Sequence, residues 1–154
     1  MDLHQALIAK DYTRLKQLLA SGAEVDALDR EGRTPLFYAA AEGEFEIASA
    51  LIKNGANANA HDRHGETSLH AAARECRPEL IRLLLANSAE VDAQDKHGNT
   101  PLFRAVFASR GRGEAIKALL AAGADRKRKN KYGVSPEELA NTISNYDVKQ
   151  FLEG

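Results

Sequence analysis

Apolar residues in this chain recur at helical spacing in short runs, separated by polar turns that carry glycine. Leu36, Ala39 and Ala40 mark one short helix, and Ile47, Ala48, Leu51 and Ile52 mark a second with a continuous apolar stripe. Thr34 stands where a hydroxyl caps a helix N-terminus, and Pro35 takes the first helical position, where a missing N–H costs nothing. Gly55 follows the second helix as a left-handed terminator. The plan then repeats, with Leu80, Ile81, Leu83, Leu84 and Leu85 supplying the next apolar stripe and Pro78 opening its helix.

The repetition has a fixed period. Asp29-Arg-Glu-Gly32-Arg-Thr34-Pro35-Leu36, Asp62-Arg-His-Gly65-Glu-Thr67-Ser68-Leu69 and Asp95-Lys-His-Gly98-Asn-Thr100-Pro101-Leu102 follow one another at 33-residue steps. A period of that length marks a stacked array, in which no unit buries its apolar face alone and function means gripping another molecule. Weaker units flank the three. Shifting the pattern back one period places Ala6 under Ala39, Leu18 and Leu19 under Leu51 and Ile52, and Gly22-Ala23 under Gly55-Ala56. Toward the other end, Asn130-Lys-Tyr-Gly133-Val-Ser135-Pro136 restates the opening, and Val148, Phe151 and Leu152 offer a last apolar stripe. Glu137 and Glu138 suit a capping unit with a solvated outer face.

These residues resemble the ankyrin-repeat family: an Asp-x-x-Gly turn, then Thr-Pro-Leu, paired alanines, Gly, an aliphatic second helix and a Gly-Ala end, all in one register. The resemblance implies an all-α solenoid of about five helix-turn-helix units and ten helices with β-turn fingers, capped at both ends. The whole chain, 1–154, then forms one domain: 1–28 as N-terminal cap, 29–61, 62–94, 95–129 and 130–154 as C-terminal cap. His70 matches the family's structural histidine, which bonds within the turn. Phe37 and Phe103 replace that histidine in their units and are expected to pack locally.

The departures locate what is individual to the chain. Cys76 stands in the position of Gly43 and Ser88 in that of Gly55, so those turns are expected to adopt a slightly different geometry. From Thr100 to Leu119 there are 19 steps where Thr34 to Leu51 takes 17, which puts two extra residues near Ser109-Arg-Gly-Arg-Gly113. Insertions in solenoids map to loops, often on the binding face. Gly111 and Gly113 predict mobility there; Arg110 and Arg112 make the loop basic.

Composition adds charge asymmetry to this picture. The formal net charge is −1, yet residues 1–94 hold 10 Lys+Arg against 15 Asp+Glu, while residues 95–132 hold 10 against 3. Such a field can orient a charged partner. One cysteine excludes an intramolecular disulfide framework. No basic n-region or membrane-length apolar segment is present, so a cytoplasmic location without membrane contact is expected unless a leader has been removed.

Chemistry finds little support. No Walker loop, dinucleotide fingerprint, Gly-x-Ser-x-Gly elbow or zinc-protease helix occurs, and no motif positions a base for Cys76. His64 and His97 occupy one turn position in neighbouring units, about 10 Å apart by helix packing, too far to share a metal. No catalytic residue, cofactor or metal is expected. The basic run Arg126-Lys-Arg-Lys129 lacks interleaved aromatics other than the nearby Tyr132, so an acidic partner is favoured over nucleic acid.

The resemblance implies recognition through turn tips and the exposed side of the first helices. The tips are Arg30, Glu31, Arg33, Arg63, His64, Glu66, Lys96, His97, Asn99, Lys131 and Tyr132. The helix-side positions are Tyr38, Ala41, Glu42, Arg74, Glu75, Arg104, Phe107 and Ala108, with Arg110 and Arg112 on the inserted loop. Tyr38, Arg74 and Arg104 are expected to carry the most binding energy. The expected partner is a protein with an acidic or mixed surface, bound by a monomeric, non-enzymatic chain. Resemblance to small bacterial ankyrin proteins through Gly133-Val-Ser-Pro136 and Asn145-Tyr-Asp-Val148 points to an immunity or inhibitor protein that blocks a toxin or enzyme. The alternative is an adaptor or inhibitor of eukaryotic type.

Overall fold

The computed structural model describes residues 1–153, and the described residues form nine α-helices, the first eight packed as four consecutive pairs. An inner layer stacks α1 (Leu3–Ile8), α3 (Pro35–Glu42), α5 (Ser68–Arg74), α7 (Pro101–Ala108) and α9 (Pro136–Thr142). An outer layer stacks α2 (Tyr12–Ala20), α4 (Phe45–Lys53), α6 (Pro78–Ala86) and α8 (Glu114–Ala121). The inner helices meet through Ala39, Ala40, Ala72, Ala73 and Ala105, all buried, and small side chains allow that close approach. The outer helices turn Ile47, Leu51, Leu80, Ile81, Leu84, Ile116 and Leu119 into the continuous core. No helix among the described residues is long and apolar enough to cross a membrane.

The caps form as the sequence predicts. The hydroxyl of Thr34 accepts the amide of Phe37, that of Thr100 accepts Phe103, and that of Ser135 accepts Glu138. Each lies beside a proline in the first helical turn. The expected tenth helix does not form as an α-helix. Ile143 takes extended backbone after α9, and Ser144 and Asn145 are weak helix formers whose side chains compete with helical bonding. The chain resumes only as the single 3₁₀ turn Lys149–Phe151, although Val148 and Leu152 are buried as their stripe requires.

The turns at Cys76 and Ser88 stay left-handed with a slightly altered geometry: φ is +53° at Cys76 and +69° at Ser88, beside +79° at Gly43 and +92° at Gly55. The bonds that close the helix ends, from Arg77 to the Ala72 carbonyl and from Ala89 to that of Leu84, set the conformation, and a side chain there costs about 1 kcal/mol. Ser88→Gly is therefore expected to raise the melting temperature by about 1–2 °C, the relief of strain exceeding the added chain entropy of glycine. A thermal melt that is unchanged or lower refutes strain at this turn.

Five residues, 109–113, join α7 to α8, whereas Gly43 and Glu44 alone join α3 to α4. Its glycines leave room for the C-terminal cap. A Cβ on Gly113 would lie 2.4 Å from the Phe151 ring, and one on Gly111 would lie 3.1 Å from that of Tyr146. The inserted loop is the seat on which the C-terminal cap rests.

Candidate partner-binding site

Each finger is built by its own opening residue. One carboxylate oxygen of Asp29 accepts the amides of Glu31 and Arg33; Asp62 serves His64 and Glu66, and Asp95 serves His97 and Asn99 in the same way. Asn130 repeats the pattern with its side-chain oxygen toward Tyr132 and Val134. The glycine three residues on donates to the carbonyl of that first residue with φ near +75°. A second constraint acts at Gly98, where a Cβ would stand 2.8 Å from the amide nitrogen of Lys131 on the next finger. Glycine is thus required both by the turn and by the stacking of neighbouring turns.

Backbone bonds then tie finger to finger. Arg63 donates to the Glu31 carbonyl at 3.0 Å, Lys96 to that of His64 at 2.9 Å, and Lys131 to that of His97 at 2.9 Å. The tips form one fixed row. Arg30, Glu31, Arg63, His64, Lys96, His97, Lys131 and Tyr132 project from it into solvent, with the His97 and Tyr132 rings stacked at 6.0 Å. Arg33 is half-buried, its guanidinium lying over Phe37 at 5.2 Å and 3.5 Å from Asp62.

Two expected tip residues are not at the tips. Glu66 is 6% exposed and Asn99 8% exposed; both follow the finger glycine, where the chain turns back toward the helices. Their backbones pair with Asp62 and Asp95, which directs the side chains inward. Asn99 accepts from Asn130 at 2.9 Å, and Glu66 lies among arginines.

That inward cluster links the fingers to the inner helices. Arg74 meets Glu66 at 2.7 Å and Glu75 at 3.3 Å, while Arg104 reaches Asp95 at 2.6 Å and Glu66 at 3.2 Å. Tyr38 donates its phenolic proton to Asp29 at 2.5 Å. The shared nine-residue offset from Asp29 to Tyr38 and from Asp95 to Arg104 is a signal that sequence inspection passed over. Burial pushes the Asp95 carboxyl upward, but Arg104 and the amides of Asn99 and His97 outweigh it and hold the group below its ordinary range. Burial likewise opposes Asp29, and the bonds from Tyr38, Arg33 and Glu31 prevail in the same direction. Tyr38, Arg74 and Arg104 are half-buried, and each is already bonded to a carboxylate within the chain.

Comparison with known proteins fits this construction. The family model described as ankyrin repeats (3 copies) matches residues 3–95, and one described as ankyrin repeat matches residues 97–131. The chain belongs to the ankyrin-repeat family. It is also 47% identical over 49 residues to the nuclear factor NF-kappa-B p105 subunit of Gallus gallus, covering 32% of this chain and 5% of that protein. The chain thus spans about one twentieth of that relative's length. Ankyrin repeats are general protein–protein interaction modules, and proteins built from them are typically non-enzymatic.

The inner face of this ankyrin array carries the remaining expected residues. Glu42, Glu75, Phe107, Arg110 and Arg112 are exposed there. Arg74, Glu75, Arg104, Phe107, Ala108, Arg110 and Arg112 line a recess of about 530 Å³ between α5, α7 and the inserted loop. A second recess, about 360 Å³, lies on the other side of Phe107 against the C-terminal cap. Among the described residues no group of three His, Cys, Asp or Glu side chains is placed to hold a metal ion.

Proposed function

We propose that this ankyrin-repeat chain binds a partner protein along its finger tips and inner helix face, and that it blocks the partner by covering it, as an immunity or inhibitor protein blocks a toxin or enzyme. The observation that supports this reading most directly is the hydrogen-bonded row of fingers. Arg30, Arg63 and Lys96 stand on turns locked to one another by backbone bonds, so little ordering cost remains on binding. A rigid face of this kind suits a tight, occluding complex better than a flexible tether.

The contact residues proposed are the exposed tips, the inner positions Tyr38, Glu42, Arg74, Glu75, Arg104 and Phe107, and the loop arginines. The basic third and fourth fingers favour an acidic or mixed protein surface, and their charge acts chiefly on the rate and orientation of encounter. The proposal is tested by capture from the native source with mass spectrometry, followed by titration of the purified partner. The triple variant R30E/R63E/K96E, altered only at exposed positions, is expected to bind about tenfold more weakly. A captured enzyme or toxin is expected to lose activity at equimolar chain. Affinity untouched by the triple variant removes the finger row from the interface, and a partner that stays fully active when bound replaces inhibition by an adaptor role.

A further inference from the structure

Phe107 lies on the last turn of α7 and is 69% exposed, although its helix is otherwise packed on both neighbours. It forms the ridge between the two inner-face recesses. Arg110 borders both recesses; on the cap side Leu139, Ile143 and Tyr146 offer apolar surface among the polar Thr142, Ser144 and Asn145, with Tyr146 itself 47% exposed.

The charges beside this ridge are unevenly committed. Arg74 and Arg104 are paired with Glu66, Glu75 and Asp95. Arg110 and Arg112 reach no carboxylate among the described residues, and the Arg112 side chain bonds only the carbonyl of Ser109, at 3.3 Å. Both belong to the segment that carries the two-residue insertion. Left-handed backbone at Arg110 (φ +49°) and Gly111 (φ +82°) fixes their positions. Gly111 and Gly113 then seat the loop against Tyr146 and Phe151, so the two cations are held beside the apolar ridge by packing.

We propose that this juxtaposition is a docking site for an acidic segment of the partner protein, with an apolar side chain lodged on Phe107 against Leu139 and Ile143 and a carboxylate reaching Arg110 and Arg112. The site deepens the protein-binding reading above and rests on it. Charge complementarity selects the occupant, because the uncommitted charge at the ridge is positive and an arginine fork takes a carboxylate in bidentate fashion. The exposed Phe107 ring with Leu139 and Ile143 beside it argues for a peptide over a nucleic-acid backbone: phosphates would gain from the arginines and nothing from these apolar side chains. An aromatic flanked by arginines is also the composition of an interface hot spot.

The test uses the full chain and a phage-displayed library of random peptides, with the variants R110E/R112E and F107A as comparison and a fluorescent single-stranded oligonucleotide as competitor. All three substituted residues have exposed or uncommitted side chains, so wild-type melting temperatures are expected and serve as the control for folding. Selected peptides are expected to place Asp or Glu beside a large apolar residue, and synthetic copies are expected to bind either variant about tenfold more weakly than wild type. No enrichment, enrichment without acidic residues, or equal binding to R110E/R112E overturns the site. So does an oligonucleotide that displaces the peptide and depends on the same arginines. A native partner that binds R110E/R112E as tightly as wild type but loses affinity for R30E/R63E/K96E overturns this site alone and leaves the wider reading intact.

Discussion

Arg104→Met is expected to destabilise the chain by about 3 kcal/mol, lowering the melting temperature by about 6–12 °C. Methionine preserves most of the side-chain volume, so the loss is electrostatic. Asp95 and Glu66 have side chains only 1% and 8% exposed, and Arg104 is the cation that touches both. Without it, Asp95 keeps its backbone donors but loses its charged partner. Because Arg104 is itself a quarter exposed, water softens the effect, which places the estimate at the low end for breaking a buried pair. The double variant R104M/D95N is expected to recover part of the loss, since no uncompensated carboxylate remains there.

The pH dependence gives an independent check. Asp95 is lowered in the folded chain, so its contribution is present above the ordinary carboxylate value of 3.8 and disappears as pH falls through that region and below. In R104M this acid-side component shrinks. A cost under about 1 kcal/mol, or an unchanged acid limb, shows that the cluster is a solvated surface arrangement. Arg104 was expected to be a binding anchor from its position alone. Its geometry means that weakened binding by a substitution there reports on interaction only after stability has been measured.

What the sequence makes legible is what local chemistry determines. The 33-residue period, the Thr and Ser caps with their prolines, and the small residues between inner helices each depend on neighbours within a turn or two, and each forms as expected. The inward turn of Glu66 and Asn99 depends on how the returning strand of a finger pairs with its opening residue, which composition does not show. Cys76 and Ser88 replace glycines, yet the bonds that close their helices hold both in left-handed backbone. The glycines of the inserted loop look like flexible residues until the rings of Tyr146 and Phe151, more than thirty positions away, are placed against them. The missing α-helix after α9 has a local cause in Ile143–Asn145, but the apolar stripe from Val148 to Leu152 masks it.

His70 supplies the second large effect. Its ring is fully buried; Nδ1 accepts the Thr67 amide at 3.1 Å and Nε2 donates to the Asn99 carbonyl of the next unit at 2.8 Å. The family resemblance predicts the bond within the turn, whereas the bond across units appears only in the fold. Burial, against the smaller opposing pull of the Asn99 carbonyl, Asp95 and Glu66, holds the imidazole below its ordinary 6.5. A proton on Nδ1 would confront the Thr67 amide, so the native state binds the neutral ring and the unfolded chain takes up more protons. This contribution to stability is therefore present well above pH 6.5 and is lost progressively as pH drops through and below that value. His70→Phe is expected to cost about 2 kcal/mol at pH 7.5 through the two lost bonds. Phenylalanine fits the register, since Phe37 and Phe103 occupy it in the neighbouring units. The variant is also expected to lose this pH component, so the difference between the two stability–pH curves isolates one ring. Denaturant unfolding at closely spaced pH values measures it, and parallel curves for wild type and H70F would show that the buried imidazole is not what makes the array acid-sensitive.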